Sequence, residues 1–181
     1  QNVNVTDLVA EVAQDIDVLA QEKGLTFDLG QMDALTVRGD RTKLKQLFLN
    51  ILDNAVRYTP KGGMVAASLV RRDGKAVATI VDSGIGIAPE HLPFIFDRFY
   101  RVDKARTASD GGTGLGLSIA MTVAKMHGGA IEVHVTPVDE HVGRAVNRVL
   151  GIEPLVELEL HPPLAEGPLH LAHAFPFSTA L

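Results

Sequence analysis

The period of the apolar residues changes repeatedly along this chain, and each change marks an element. Leu44, Leu47, Phe48, Ile51, Leu52 and Ala55 recur at three- and four-residue steps, the single stripe of an amphipathic helix. Asp40 is its expected cap. Pro60 limits it, because the residue before a proline resists the helical region. A second helix is predicted from a cap at Thr6 or Asp7 to about Lys23, burying Leu8, Val12, Ile16 and Leu19 and stopping at Gly24. A third carries Leu115, Ile119, Val123 and Met126 and ends in His127-Gly128-Gly129. Leu92, Ile95, Phe96 and Phe99 also fall at helical spacing and read as core anchors.

Alternation predicts strands at 2–6, 25–29, 34–39, 64–72, 75–82 and 130–135, with Asp73-Gly74 turning a hairpin between the fourth and fifth. This order predicts a mixed sheet with helices on one face, an α/β two-layer sandwich. It organises residues 1–135. Residues 136–181 read as a divergent, partly irregular segment: a short helix over 139–151, an edge or closing strand near 154–161, and a proline- and histidine-rich end without period.

Composition narrows the function. A length of 181 residues suits one domain, with 46% hydrophobic and 22% charged residues as in an ordinary globular fold. The net charge of −5, with no dense basic block, argues against a nucleic-acid surface. The absence of cysteine removes disulfides, thiolate zinc sites and thiol nucleophiles. No apolar run reaches the ~18 residues needed to span a bilayer, so no membrane contact is expected of this segment. Residue 1 reads as the interior of a longer polypeptide.

The chemistry gathers in a few places. Asn50 and Asn54 lie one turn apart on the helix between Asp40 and Pro60, their side chains roughly 5–6 Å from each other, with Lys43 and Arg57 in the same polar strip. Asn is a mediocre interior residue for a helix, so the pair needs a reason. Asp82 ends a strand, where its carboxylate can accept from an exocyclic amine such as adenine's. Gly84 and Gly86 follow and permit close backbone approach. The polar loop 102–112, without periodicity, reads as a lid. It runs into Gly112, Thr113, Gly114, Leu115 and Gly116 directly before a helix, and such a turn offers free N–H groups and the positive end of a helix dipole to an anion.

Taken together, NxxxN on a helix, DSGIG after a strand, FDRFYRVDKAR and GGTGLGLSIA opening a helix resemble the GHKL ATP-binding superfamily. Within it the chain is similar to the catalytic and ATP-binding domain of sensor histidine kinases, over roughly residues 2–135. The resemblance implies a Bergerat-type fold, with a mostly antiparallel sheet on about three helices. It also implies ATP and Mg²⁺ as ligands, with the γ-phosphoryl group passing to a histidine. Asn54 would ligate Mg²⁺ with Asn50 beside it, and Arg57 and Arg101 would meet phosphate oxygens. Tyr58 would pack on adenine, and Asp82, Gly84, Ile85 and Gly86 would hold the base. Gly112, Thr113, Gly114, Leu115 and Gly116 would form the phosphate turn, with Phe96 and Phe99 anchoring the lid.

Where ATP-hydrolysing branches of the superfamily carry a glutamate base for water, this chain has Asn50, which takes no proton at neutral pH. That suits an incoming imidazole nucleophile better than water. Asp53 and Gln46 are candidates to polarise it. None of the chain's seven histidines has the setting of the family's acceptor. The resemblance therefore implies a separate dimerisation and histidine-phosphoacceptor domain, a downstream response regulator and a cytoplasmic location, with membrane attachment of the parent left open. Two rivals stand: a GHKL serine kinase of the anti-sigma type, and a non-catalytic ATP-binding regulatory module.

Overall fold

The structure, a computed structural model, describes residues 1–102 and 112–135 in full and the backbone of 147–150. Helix α1 (Val5–Lys23) follows strand β1 (Asn2–Asn4). Strands β2 (Thr26–Met32) and β3 (Thr36–Arg38) lead into helix α2 (Arg41–Tyr58). The hairpin β4 (Met64–Arg72) and β5 (Lys75–Asp82), helix α3 (Gly116–Met126) and strands β6 (Glu132–Val135) and β7 (Asn147–Leu150) complete it. The main sheet runs β2-β4-β5-β7-β6, antiparallel except for the β2–β4 pair, while β1 and β3 form a separate two-stranded ribbon.

The inward residues of β4 (Val65, Ala67, Leu69) and β5 (Ala76, Ala78, Ile80) share one core with Leu8, Val12 and Ile16 of α1, Leu47, Ile51 and Leu52 of α2, and Ala120 and Val123 of α3. This is the two-layer α/β sandwich expected from the order of elements. Asp40 caps α2 by accepting from the Lys43 N–H at 3.1 Å, and Thr59 ends it in extended backbone before Pro60, both as anticipated.

Several local expectations are corrected. The cap of α1 is Asn4, whose amide oxygen accepts from the Asp7 N–H. Thr6 is engaged elsewhere, donating to the Asp33 carbonyl at 2.6 Å and accepting from the Leu35 N–H at 2.9 Å. Leu19 is 43% exposed, because Ala20 continues the four-residue steps from Leu8, Val12 and Ile16. Met126 is exposed on the last turn of α3, and the apolar spacing of 92–99 gives only a 3₁₀ turn at Leu92–Phe94. Residues 147–150 form a strand rather than the end of a helix over 139–151. β5 and β6 each supply a free ladder edge to them, and tertiary pairing overrides a weak local pattern. The strand expected near 154–161 lies outside the described residues, as does the lid loop between Val102 and Gly112.

Candidate functional site

The site is built around the second half of α2. The apolar stripe of that helix is buried, so the strip beside it stands at the core's edge, with Asn50, Asn54 and Arg57 half-buried and Tyr58 48% exposed. The Asn50 amide nitrogen is buried and has no hydrogen-bond partner among the described residues. An unmet buried donor costs free energy until an acceptor arrives. Arg57 lies 3.6 Å from the Asp53 carboxylate one turn back, which holds the guanidinium along the helix.

At the end of β5, Asp82 is only 6% exposed and accepts from the Gly84 N–H at 2.8 Å. Gly84 has no room for a side chain: a Cβ there would lie 2.5 Å from the Asp82 carboxylate and 2.9 Å from the Tyr58 carbonyl oxygen. The Ile85 N–H donates to that same carbonyl at 3.2 Å, tying the loop to the last turn of α2. Gly86 takes a left-handed φ of 76°, and Ile85 is exposed.

The glycine turn comes to the same helix from the other side. A Cβ on Gly112 would meet the Arg57 guanidinium at 2.8 Å, and one on Gly116 would meet the Asn50 side chain at 3.7 Å. Gly114, at φ 69°, accepts from the Phe99 N–H at 2.9 Å and packs against the backbone of Phe99 and Tyr100. Phe99 therefore holds the turn by its backbone, and its ring is 68% exposed rather than a buried anchor, since its own φ of 66° turns it outward. Ile95 is the buried apolar residue there, and Phe94 and His91 both meet Tyr100, the latter at 2.7 Å. Arg101 follows Tyr100 directly. Thr113 is exposed and Leu115 half-buried.

Asn50, Arg57, Tyr58, Asp82, Gly84, Ile85, Gly112 and Gly116 thus converge on one end of one helix. A separate cleft of about 450 Å³ opens at the opposite end of α2, among Arg38, Asp40, Lys43, Met126 and His127. Sequence reasoning missed two residues that hold this frame. His127 accepts from the Asp40 N–H at 3.0 Å and pairs with the Val123 carbonyl, joining the start of α2 to the end of α3. Lys23, expected only as the end of the first helix, reaches the carbonyls of α2.

The chain is 38% identical over 136 residues to the sensor-like histidine kinase SenX3 of Mycobacterium tuberculosis, which covers 75% of this chain and 33% of that protein. It spans about a third of that relative's length. Among solved structures, a mycobacterial sensor histidine kinase, MprB, superimposes with a TM-score of 0.71 at 29% identity, over 84% of this chain and 98% of that one. Full-length ShkA in complex with AMPPNP gives 0.69 at 26% identity, over 85% of this chain and 30% of the other. Residues 39–152 match the histidine kinase-, DNA gyrase B- and HSP90-like ATPase family, a segment that takes in α2, the β4–β5 hairpin, the glycine turn and β7. The chain belongs to that family.

Proposed function

We propose that this chain is the ATP-binding catalytic domain of a two-component sensor histidine kinase, which transfers the γ-phosphoryl group of ATP to a histidine outside it. The observation that carries the reading is the approach of Gly112 and Gly116 to Arg57 and Asn50, so that a helix-opening glycine turn faces a side-chain amide and a cation. Triphosphate is the anion such a place suits, with N–H groups and a helix dipole on one side and a guanidinium on the other. Asp82 supplies a buried acceptor for the adenine amine, and Tyr58 an exposed ring beside it.

The residues fit a magnesium-bound nucleotide. Asn54 and Asn50 offer amide oxygens as hard ligands, and the unmet Asn50 nitrogen can donate to a phosphate oxygen. The metal would neutralise charge on the β- and γ-phosphates. This chain's part is to bind and orient: Asp82 with Gly84 and Gly86 fixes the base, the turn over 112–116 receives the phosphates, and Arg57 and Arg101 offset charge on the γ-phosphoryl oxygens. A neutral imidazole nitrogen then bonds to the γ-phosphorus as the bond to the bridging oxygen breaks, and ADP leaves with that electron pair. No carboxylate stands at position 50 to activate water, which favours transfer over hydrolysis.

The acceptor belongs to a helical dimerisation domain of the same or another chain. The described histidines are otherwise engaged: His91 with Tyr100, His127 with Asp40 and Val123, and His134 with Glu132. A response regulator downstream and a cytoplasmic location, where ATP is available, belong to the same reading. The test is to supply γ-labelled ATP and Mg²⁺ to this chain mixed with the parent's helical-hairpin domain. Label on the hairpin that is acid-labile and base-stable is expected. Label on a serine, or saturable nucleotide binding with no transfer, would replace this reading with one of its rivals.

A further inference from the structure

Helix α1 carries none of the candidate site residues, yet its last residue reaches the helix that carries most of them. The Lys23 ammonium donates to the Val56 carbonyl at 2.8 Å and to the Arg57 carbonyl at 2.5 Å. Four carbonyls at the end of any α-helix lack partners within it. In α2 each has a named donor. Ala55 accepts from the Thr59 hydroxyl at 2.7 Å, Val56 and Arg57 from Lys23, and Tyr58 from the Ile85 N–H. Two of the four therefore rest on one side chain from another helix, and its charge also sits at the negative end of the α2 dipole.

The corner that presents Lys23 is itself fixed. Gly24 turns out of α1 at φ 71°, its carbonyl accepts from the Gly62 N–H at 2.9 Å, and the Lys61 stem packs where a Cβ would stand. The Thr26 N–H donates to the Gly63 carbonyl at 2.9 Å in the same clasp. Lys23 is thus held against the last turn of α2. That turn contacts both halves of the site, with Tyr58 bonded to Ile85 and closed against Gly84, and Arg57 against Gly112.

We propose that Lys23 is a positioning residue for the nucleotide site: by capping α2 from outside, it fixes Arg57 and Tyr58 relative to the base-binding loop and the glycine turn. The inference rests on the nucleotide reading above. Without Lys23 the Val56 and Arg57 carbonyls lose their donor, the last turn frays, and the Tyr58–Ile85 bond goes with it.

The test uses Lys23→Met, Lys23→Arg and, as a control, Thr6→Ala, which removes a bonded hydroxyl at the other end of α1. Each is titrated with the non-hydrolysable analogue AMPPNP and Mg²⁺, and amide hydrogen exchange is followed at Ile85. Lys23→Met should weaken binding roughly tenfold and speed Ile85 exchange, Lys23→Arg should recover both, and Thr6→Ala should change neither. If Lys23→Met does not fold, Lys23→Gln, which keeps one amide donor, takes its place with the same expected direction. Binding within about twofold of wild type, or unchanged exchange at Ile85, overturns the proposal. A wild type that binds no analogue sinks the nucleotide reading instead, and Ile85 exchange then decides by itself whether Lys23 holds the junction.

Discussion

Asp82 illustrates what one residue contributes: a carboxylate kept almost wholly from water, with the Gly84 N–H on one oxygen. Asp82→Asn keeps an oxygen for Gly84 but removes the charged acceptor. Affinity for adenine nucleotides should fall roughly ten- to hundredfold in a calorimetric titration, with little change in melting temperature. Other carboxylates bear on stability through their partners in the fold. Glu11 is held below its ordinary 4.5 by hydrogen bonds from Lys45 and Arg41. Asp33 and Asp40 are held below 3.8, chiefly by the backbone N–H groups of Arg71 and Lys43. Their folded values lie below the unfolded ones, so their stabilisation is complete above the ordinary values and drains away as pH falls through the folded ones. The melting temperature should therefore drop as pH is lowered below about 4, less steeply in Asp33→Asn than in wild type. At this scale the places of Asn50 and Asn54 on one helix and of Asp82 at the end of a strand were legible, because they follow from local spacing. Lys23 and His127 were not, since their partners are 33 and 87 residues away along the chain.

Elements place these residues, and the turns between them can be tested one glycine at a time. Gly114 combines a φ of 69° with backbone of Phe99 and Tyr100 at 2.9 Å from any Cβ. Gly74 has φ 77° and nothing within 4 Å. Gly114→Ala should cost about 1–3 kcal/mol and weaken nucleotide binding, whereas Gly74→Ala should cost about 1 kcal/mol and leave binding alone, as melting and titration on the two variants would show. Leu47, fully buried on α2, sets the scale for the core: Leu47→Ala should cost about 2–5 kcal/mol in denaturant unfolding. Helix α2 and the β4–β5 hairpin were readable because period, cap and turn residues agree along 40–82. The closing strand was not. Residues 147–150 carry no alternation strong enough to outweigh a helical pattern, and their pairing is set by the two edges they join. The stretch 92–99 misled for a related reason. Its apolar spacing is helical, but only Leu92–Phe94 forms a 3₁₀ turn, and Phe99 stands in left-handed backbone.

On the scale of the whole molecule, two segments far apart in sequence, the DSGIG loop and the glycine turn, meet the end of one helix. The sandwich brings them there by packing α2 against the sheet and α3. On the proposed reading function is divided in a similar way, with nucleotide held by this chain and the acceptor histidine by another domain. The most direct test is calorimetric titration with AMPPNP, with and without Mg²⁺, on wild type, Asn54→Ala and Asp82→Asn. Saturable binding strengthened by Mg²⁺ is expected, with loss of the Mg²⁺ dependence in Asn54→Ala and weaker but still Mg²⁺-dependent binding in Asp82→Asn. A folded wild type that takes up no analogue, or binding indifferent to both substitutions, would contradict it.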